Sequence, residues 1–310
     1  MARNATADSG SLIFKSGLFA ILAGFAFLIF NQFSGNPDNS KTPRPKHLEL
    51  PDTTTVAAET NKNTQNAPTV PAEILPETDG ELVQHTYFSL SYSENDEQAS
   101  WVAYYLTRAR LNENWAERPN TFRPDPAVHT ESATPRDYSS SGYDKGHLCP
   151  AADMAFNENA IDETFLMSNI SPQVPGFNKG IWRELEELTR DWARRFGQLY
   201  VVTGPMLRQE ALGQIGFSKV TIPSYYFKVL YAPDQQRAIA FMLPNTVSER
   251  PVMDYAYTID AVEKSSGIDF FPQILKGLNE ELEGSLDKNA WPINRQRYEK
   301  RLKSWNLQKQ

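Results

Sequence analysis

The stretch F-L-M-S-N-I-S-P-Q-V-P-G-F-N-K-G-I-W-R-E-L-E-E-L-T-R, from Phe165 to Arg190, decides the fold of this 310-residue chain. From Lys179 to Phe196, apolar residues recur every three or four positions, which is typical of an α-helix with one buried face. The residues of that face are Ile181, Leu185, Leu188, Trp192 and Phe196. The sequence therefore predicts an amphipathic helix over residues 179–196.

Three polar residues of this stretch flank the apolar face. With a turn of about 100° per residue and Ile181 at zero, Asn178, Glu186 and Arg190 fall at about 60°, 140° and 180°. An amide, a carboxylate and a guanidinium along one ridge could bind a hydrated cation and a phosphate together. Glu186 and Arg190 could equally be an ordinary i,i+4 surface pair.

A second polar cluster lies upstream, in S-G-Y-D-K-G-H-L-C-P from Ser141 to Pro150. On an extended backbone, the side chains of Lys145 and His147 point to one side, and position 144 faces the other. An ammonium and an imidazole on one surface could serve phosphate chemistry. A solvent-exposed polar hairpin is the alternative for these residues taken alone.

Other segments have the patterns of strands and of a further helix. The predicted strands begin near His85 and lie over residues 101–106, 199–203, 225–231 and 238–243, and a helix is predicted over residues 258–264. Strands in series, interrupted by one strong helix, indicate an α+β domain with a mainly antiparallel sheet.

Three motifs in this order resemble the DNA/RNA non-specific endonuclease family, the ββα-metal group that includes endonuclease G. They are D-K-G-H at 144–147, S-N-I-S-P-Q at 168–173 and N-K-G-I-W-R-E-L-E at 178–186. The resemblance covers roughly residues 86–272. It implies a ββα-metal catalytic motif with flanking helices, and an enzyme that hydrolyses phosphodiester bonds of DNA and RNA with little sequence preference.

The resemblance also implies the base and the metal site. His147 matches the general base that deprotonates water, and an imidazole suits this task because its unperturbed pKa of about 6.5 leaves it mostly neutral at pH 7. Asn178 matches the one direct protein ligand of Mg²⁺, which Mn²⁺ could replace. Glu186 matches the acid that holds the water shell of the metal.

Contacts with the nucleic-acid backbone are implied for three more residues. Arg190 matches an arginine near the scissile phosphate, Asn169 matches a site-lining asparagine, and Lys145 stands where the family usually has arginine. Lysine keeps the charge but loses the planar bidentate fork, so the phosphate contact is expected to change. Arg118 and Arg123 are both candidates for one further phosphate contact, and the sequence does not choose between them.

The net charge and the single cysteine bear on several other functions. The formal net charge of −7 argues against a protein that coats nucleic acid by bulk positive charge. Cys149, the single cysteine, lies two residues from His147 and raises the possibility of a Cys-His protease, but no third orienting group is apparent. A non-catalytic module for nucleic-acid or surface binding, and a phosphodiesterase for small nucleotides, are the remaining alternatives. The oligomeric state stays open.

The first 84 residues differ in composition from the rest. Residues 17–30 are apolar throughout, and residues 12–33 extend this run toward the about 20 residues that span a bilayer. Residues 1–34 are therefore predicted to be a signal-anchor or a signal peptide that contacts the membrane. Residues 35–84, with seven prolines and no aromatic residue, are predicted to be a flexible linker to a domain over 85–310. Because an indiscriminate nuclease would damage its own cell, the domain is expected to be membrane-anchored and exported, or secreted.

Overall fold

Strands of the computed structural model, which describes residues 70–275 and 280–307, form one large sheet and two hairpins. The strands are β1 Glu81–Gln84, β2 Ser89–Ser93, β3 Gln98–Thr107, β4 Asp144–His147, β5 Ile170–Gln173, β6 Gln198–Pro205, β7 Gly213–Ile215, β8 Val220–Ile222, β9 Tyr225–Ala232, β10 Arg237–Pro244 and β11 Ala256–Tyr257. The large sheet has the order β1-β2-β3-β6-β9-β10-β11, and β4-β5 and β7-β8 are the hairpins. Every neighbouring pair is antiparallel.

Helices of the described residues are mostly short, apart from one long central helix and one near the C-terminus. They are α1 Arg108–Leu111, α2 Glu158–Glu163, α3 Pro175–Phe177, α4 Arg183–Phe196, α5 Ile259–Ser266, α6 Pro272–Leu275, α7 Glu280–Glu283 and α8 Arg295–Leu307. Turns of 3₁₀-helix cover Ala72–Ile74, Ala151–Asp153, Met167–Asn169, Pro233–Gln235, Val252–Tyr255 and Lys288–Ala290, and Asn178–Trp182 is π-helical.

The predicted α+β class with a mainly antiparallel sheet is confirmed. The predicted apolar face of the central helix is also correct, because Ile181, Leu185, Leu188, Trp192 and Phe196 are all buried. The helix does not begin regularly at Lys179, however. A π-helical segment, Asn178–Trp182, precedes α4, and Gly180 within it departs from helical torsion angles (φ −99°, ψ −113°). Single π-helical turns of this kind are frequent at functional sites.

The hydrophobic core has two main clusters, and each contains side chains of the large sheet. One cluster packs the face of α4 against the sheet, where the ring of Trp192 stacks on Phe241 at 5.9 Å between centroids. The other cluster includes Ile259 and Val262 of α5. The sheet thus carries helices in separate clusters, and the candidate site belongs to the cluster that contains α4.

The folded part begins before the predicted boundary at residue 85. Val70 and Ile74 are buried in the second cluster, and β1 pairs with β2 from Glu81 to Gln84. The linker prediction was therefore wrong for residues 70–84. Residues 35–84 as a whole are rich in proline and have few apolar side chains, so their composition resembles that of a linker. The side chains of Val70 and Ile74 are buried by residues that are distant in sequence.

The predicted signal-anchor or signal peptide over residues 1–34, and the linker over 35–69, lie outside the described residues. Within residues 70–275 and 280–307, no helix has both the length and the apolar character needed to span a bilayer.

Candidate active site

The hairpin β4-β5 contains the D-K-G-H motif and pairs it with the S-N-I-S-P-Q motif. The register places Asp144 opposite Gln173 and His147 opposite Ile170. An added Cβ at Gly146 would lie 2.2 Å from the side chain of Gln173, so a larger residue here would force that buried glutamine to move. The glycine of the motif therefore allows the two strands to approach with a buried glutamine side chain between them.

The imidazole of His147 lies between two aromatic rings at the end of β4. Its centroid is 5.4 Å from that of Phe122 and 5.0 Å from that of Phe165, the latter in an edge-on arrangement. Its Nε2 atom is buried and has no hydrogen-bond partner among the described residues. Ring packing, rather than a carboxylate partner, thus orients this imidazole.

The same surroundings keep His147 neutral. Burial, and secondly the positive charge of Arg118, lower the pKa of His147 from 6.5 to about 3. Both causes disfavour the protonated form, because an apolar pocket and a nearby guanidinium each destabilise an imidazolium. The ring is therefore available as a base at neutral pH.

Two cations without carboxylate partners lie near His147. Lys145 Nζ is 5.5 Å from the ring centroid of Phe122, and the guanidinium carbon of Arg118 is 5.1 Å from that of Phe165. Neither forms a salt bridge with any described residue. The predicted shared surface of Lys145 and His147 is present, since both side chains pack against Phe122.

The structure also separates the two candidate arginines that the sequence left open. Arg123 is occupied by Asp162, with Nη1–Oδ1 at 3.1 Å and Nη2–Oδ2 at 2.6 Å. Arg118 is exposed and has no such partner among the described residues. Arg118 is therefore the arginine free to contact an anion.

Asn178 is tied to the first residue of β4. Its Nδ2 donates a hydrogen bond to Asp144 Oδ2 at 2.9 Å, and Lys179 Nζ lies 2.9 Å from the same oxygen. Because the Nδ2 group is engaged by the carboxylate, the amide oxygen Oδ1 faces away from it and is the atom left to ligate a cation. One strand thus carries His147 at its end and orients Asn178 from its start.

Glu186 and Arg190 lie one turn apart on α4, and Arg190 is paired whereas Glu186 is not paired with any residue of the described ranges. Arg190 is mostly buried, and its Nη1 donates to Asp153 Oδ1 at 2.6 Å. Glu186 accepts no hydrogen bond from any described residue. Burial raises the pKa of Glu186 to about 7, and the charges of Arg190 and Lys228 oppose that shift. The surface i,i+4 pair considered from the sequence is therefore incorrect, because Arg190 is paired with Asp153 instead.

These donors fit a hydrated Mg²⁺ ion rather than a dehydrated one. No group of three or more His, Cys, Asp or Glu side chains within the described ranges could enclose a metal. One free amide oxygen at Asn178 and one partly buried, unpaired carboxylate at Glu186 match an ion that keeps several of its waters.

The positions of Asn169 and Cys149 bear on two further interpretations of the sequence. Asn169 was expected to line the substrate site, but it is fully buried, and its amide group bonds Cys149 N, Cys149 O and Thr164 O. It fixes the chain just after His147. Cys149 is buried too, and burial raises the pKa of its thiol, so the Cys-His protease alternative lacks a reactive thiolate.

Sequence reasoning missed the residues that hold the site in place. Asp144 orients Asn178, Asp153 fixes Arg190, and Phe122 and Phe165 hold His147. Asp144 was visible as the first residue of its motif. The other three are separated in sequence from their partners, and no local pattern connects them.

Comparisons with known proteins agree with this architecture. The model of the DNA/RNA non-specific endonuclease family matches residues 66–276. Mitochondrial endonuclease G of Homo sapiens is 35% identical over 210 residues, which cover 63% of this chain and 71% of that protein. Nuclease C1 of Cunninghamella echinulata var. echinulata is 33% identical over 216 residues, covering 64% and 86%.

A solved structure shares the fold. The crystal structure of the EndoG/EndoGI complex, which concerns the mechanism of EndoG inhibition, superposes with a TM-score of 0.59 at 29% identity. The match covers 63% of this chain and 87% of that chain. The family match over residues 66–276 includes the strands of the large sheet, the β4-β5 hairpin and α4.

The fold and these relatives together define a nuclease, an enzyme that hydrolyses phosphodiester bonds. The chain belongs to the DNA/RNA non-specific endonuclease family. The resemblance drawn from the three sequence motifs is therefore confirmed.

Proposed function

We propose that this nuclease is a Mg²⁺-dependent endonuclease that hydrolyses DNA and RNA with little sequence preference. The observation that carries the proposal is the arrangement along β4. A neutral imidazole without a protein partner ends the strand, and an asparagine whose amide oxygen is free is bonded to its first residue. Such a site binds the sugar-phosphate backbone and needs no contact with the bases.

In this mechanism His147 removes a proton from the attacking water. The side chains of Phe122 and Phe165 fix the orientation of the His147 imidazole, so the base is preorganised before the substrate binds. An anionic phosphate beside the ring would raise the pKa of His147 from its low value toward neutrality, because it stabilises the imidazolium. Substrate binding thus makes the base stronger at the moment it is needed.

Asn178 and Glu186 are the residues that would hold the cation. Asn178 would supply its amide oxygen, and Glu186 would accept hydrogen bonds from the cation's waters. When bound, Mg²⁺ supplies Lewis-acid stabilisation of the charge that develops on the phosphate. Mn²⁺ prefers similar oxygen ligands and is expected to substitute.

Lys145 and Arg118 are proposed to bind the phosphate backbone. Both lie near His147 on aromatic rings, and both lack a carboxylate partner among the described residues. Arg190 is held at Asp153, so its part is proposed to be charge stabilisation from a buried position rather than capture of the substrate.

Reversible chelation tests this function. Purified protein is incubated with supercoiled plasmid DNA, structured RNA and oligonucleotides of varied sequence, first with EDTA and then with excess Mg²⁺ or Mn²⁺. Cleavage of all three substrates that stops with chelator and returns with metal supports the proposal. Tight DNA retention without product at any metal concentration would identify a binding module instead. Cleavage confined to the shortest oligonucleotides would indicate a phosphodiesterase for small nucleotides.

We also propose that the apolar N-terminal segment exports the nuclease domain, either as a membrane anchor or as a cleaved signal. This proposal rests on the apolar run over residues 17–30 and on the harm that an indiscriminate nuclease would do inside its own cell. Protease digestion of intact cells tests it. An externally added protease should remove the domain of an anchored form, and complete protection in unbroken cells would contradict that orientation.

A further inference from the structure

A lysine lies buried in the sheet beneath the candidate site. Lys228, on β9, an inner strand of the large sheet, is completely buried. Its Nζ is 3.5 Å from the hydroxyl oxygen of Tyr104 and 5.1 Å from the ring centroid of Trp182. It forms no salt bridge within the described residues. Lysine is almost never fully buried without a paired charge, so this placement calls for a function.

A chain of contacts connects Lys228 to the helix α4. The hydroxyl of Tyr104 donates to Asp153 Oδ2 at 2.9 Å, and Arg190 Nη1 donates to the other oxygen, Oδ1, at 2.6 Å. Both Asp153 and Tyr104 are buried. Lys228 is therefore linked through two side chains to an arginine that is one helical turn from Glu186.

The charges of this cluster balance. Asp153 and Glu186 contribute two carboxylates, and Arg190 and Lys228 contribute two cations. Glu186 lies within the electrostatic reach of both cations, as the opposing shifts in its pKa show. Burial lowers the pKa of Lys228, while the charges of Asp153 and Glu186 act in the opposite direction. Without Lys228, the cluster would lose one of the cations that favour the ionised form of Glu186.

We propose that Lys228 is a positioning residue for the nuclease reaction. Through Tyr104 and Asp153 it fixes the guanidinium of Arg190, and its ammonium offsets the carboxylate charge behind the cation site. This inference rests on the proposed function, because it assigns Lys228 a part in the same phosphodiester hydrolysis. It does not place Lys228 in contact with the substrate.

The proposal predicts that one substitution lowers turnover and at the same time strengthens Mg²⁺ binding. Lys228→Met keeps the length of the side chain and removes its charge. The turnover number should fall about 10- to 100-fold, as is common when a supporting side chain of a metal site is lost. The Mg²⁺ concentration for half-maximal activity should fall by about threefold, because a repelling positive charge has been removed. A general packing defect would instead weaken turnover and Mg²⁺ binding together.

Direct Mg²⁺ binding to the catalytically idle protein, without substrate, provides a second readout. Calorimetric titration of the metal-free Lys228→Met variant should show about threefold tighter binding than wild type. Lys264→Met is the matched control, since it removes the same charge from the exposed surface of α5, in the other hydrophobic cluster. The control should retain wild-type turnover and Mg²⁺ affinity.

Tyr104→Phe keeps the proposal testable if Lys228→Met does not fold. This variant removes the hydroxyl link and leaves every charge in place, so turnover should fall at least about fivefold with little change in the Mg²⁺ requirement. Wild-type turnover in a folded Lys228→Met or Tyr104→Phe protein would overturn the inference. Absence of cleavage by the wild type itself would instead refute the proposed function, and the two failures are therefore distinguishable.

Discussion

The neutrality of His147 is a property of its immediate surroundings. Two phenylalanine rings exclude water from one side of the ring, and Arg118 adds a repelling charge. A motif can specify that a histidine is present, but it cannot show how the ring is buried. The histidine could thus be predicted as a candidate base from D-K-G-H, whereas its low pKa could not.

The titration of the histidines tests this environment. In the metal-free protein, His147 should titrate near 3, far below 6.5, because burial and Arg118 disfavour its protonated form. His129 should titrate above 6.5, because its hydrogen bond to Glu81 favours the protonated form. Ring resonances followed by NMR between pH 3 and 8, assigned with His147→Ala, give the His129 midpoint and show whether His147 stays neutral through most of that range. A His147 midpoint at or above 6.5 would show that the pocket does not exclude water.

Arg118 and Arg123 differ in whether a carboxylate already binds the guanidinium. Arg118→Ala should weaken binding of oligonucleotides and reduce the salt slope of affinity by about one, as expected for one lost phosphate contact. Arg123→Ala should leave affinity unchanged and lower the free energy of unfolding by about 0.2–1 kcal/mol, because it removes a half-exposed ion pair with Asp162. Fluorescence anisotropy at several salt concentrations makes the comparison. Equal affinity losses in both variants would contradict the assignment.

At the scale of elements, the sequence predicted the buried face of α4 correctly. It did not predict how the helix begins. The apolar period indicates which face is buried, but it does not show the π-helical segment, in which Gly180 departs from helical torsion angles and Asn178 bonds Asp144. The hydrogen-bond partners of Asn169 and Arg190 could not be predicted from the sequence either. The motifs contain both residues, but they do not show that Asn169 bonds Cys149 or that Arg190 bonds Asp153.

Asp144 provides the prediction at this scale. Asp144→Ala frees the amide of Asn178 to rotate, so Mg²⁺ affinity should fall about 10- to 100-fold, as when an outer partner of a metal ligand is removed. Lys179→Ala is the control, since it removes the other, exposed partner of Asp144 and leaves the amide held. Calorimetric Mg²⁺ titration of both variants measures the effect. Wild-type affinity in Asp144→Ala would mean that the bond does not orient the ligand.

At the scale of the whole molecule, the C-terminal segment braces the helix that carries the site. Trp291 lies beyond the family match at residue 276 and packs edge-on against Trp192 of α4, at 5.1 Å between centroids. Arg297 Nη1 is 2.6 Å from Asp191 Oδ2 on the same helix. No pattern in the sequence indicates this contact, because the apolar face of α4 does not reveal which distant aromatic residue covers it.

Removal of this brace should destabilise the fold. Trp291→Ala should lower the free energy of unfolding by about 3–5 kcal/mol, because it deletes a large buried ring. Trp115→Ala, at a tryptophan that is 63% exposed, should change it by no more than about 0.5 kcal/mol. Urea unfolding followed by circular dichroism compares the two. Similar losses in both variants would show that the C-terminal segment does not stabilise the domain.

The proposed mechanism assigns proton removal to His147 and Mg²⁺ binding to Asn178. Measuring both turnover and Mg²⁺ binding in His147→Ala and in Asn178→Ala tests this assignment most directly. His147→Ala should lose about 10²- to 10⁴-fold in turnover at saturating Mg²⁺, the usual effect of removing a general base, and should bind Mg²⁺ as the wild type does. Asn178→Ala should lose Mg²⁺ binding itself. Plasmid cleavage at the wild-type rate by folded His147→Ala protein would contradict the proposed chemistry.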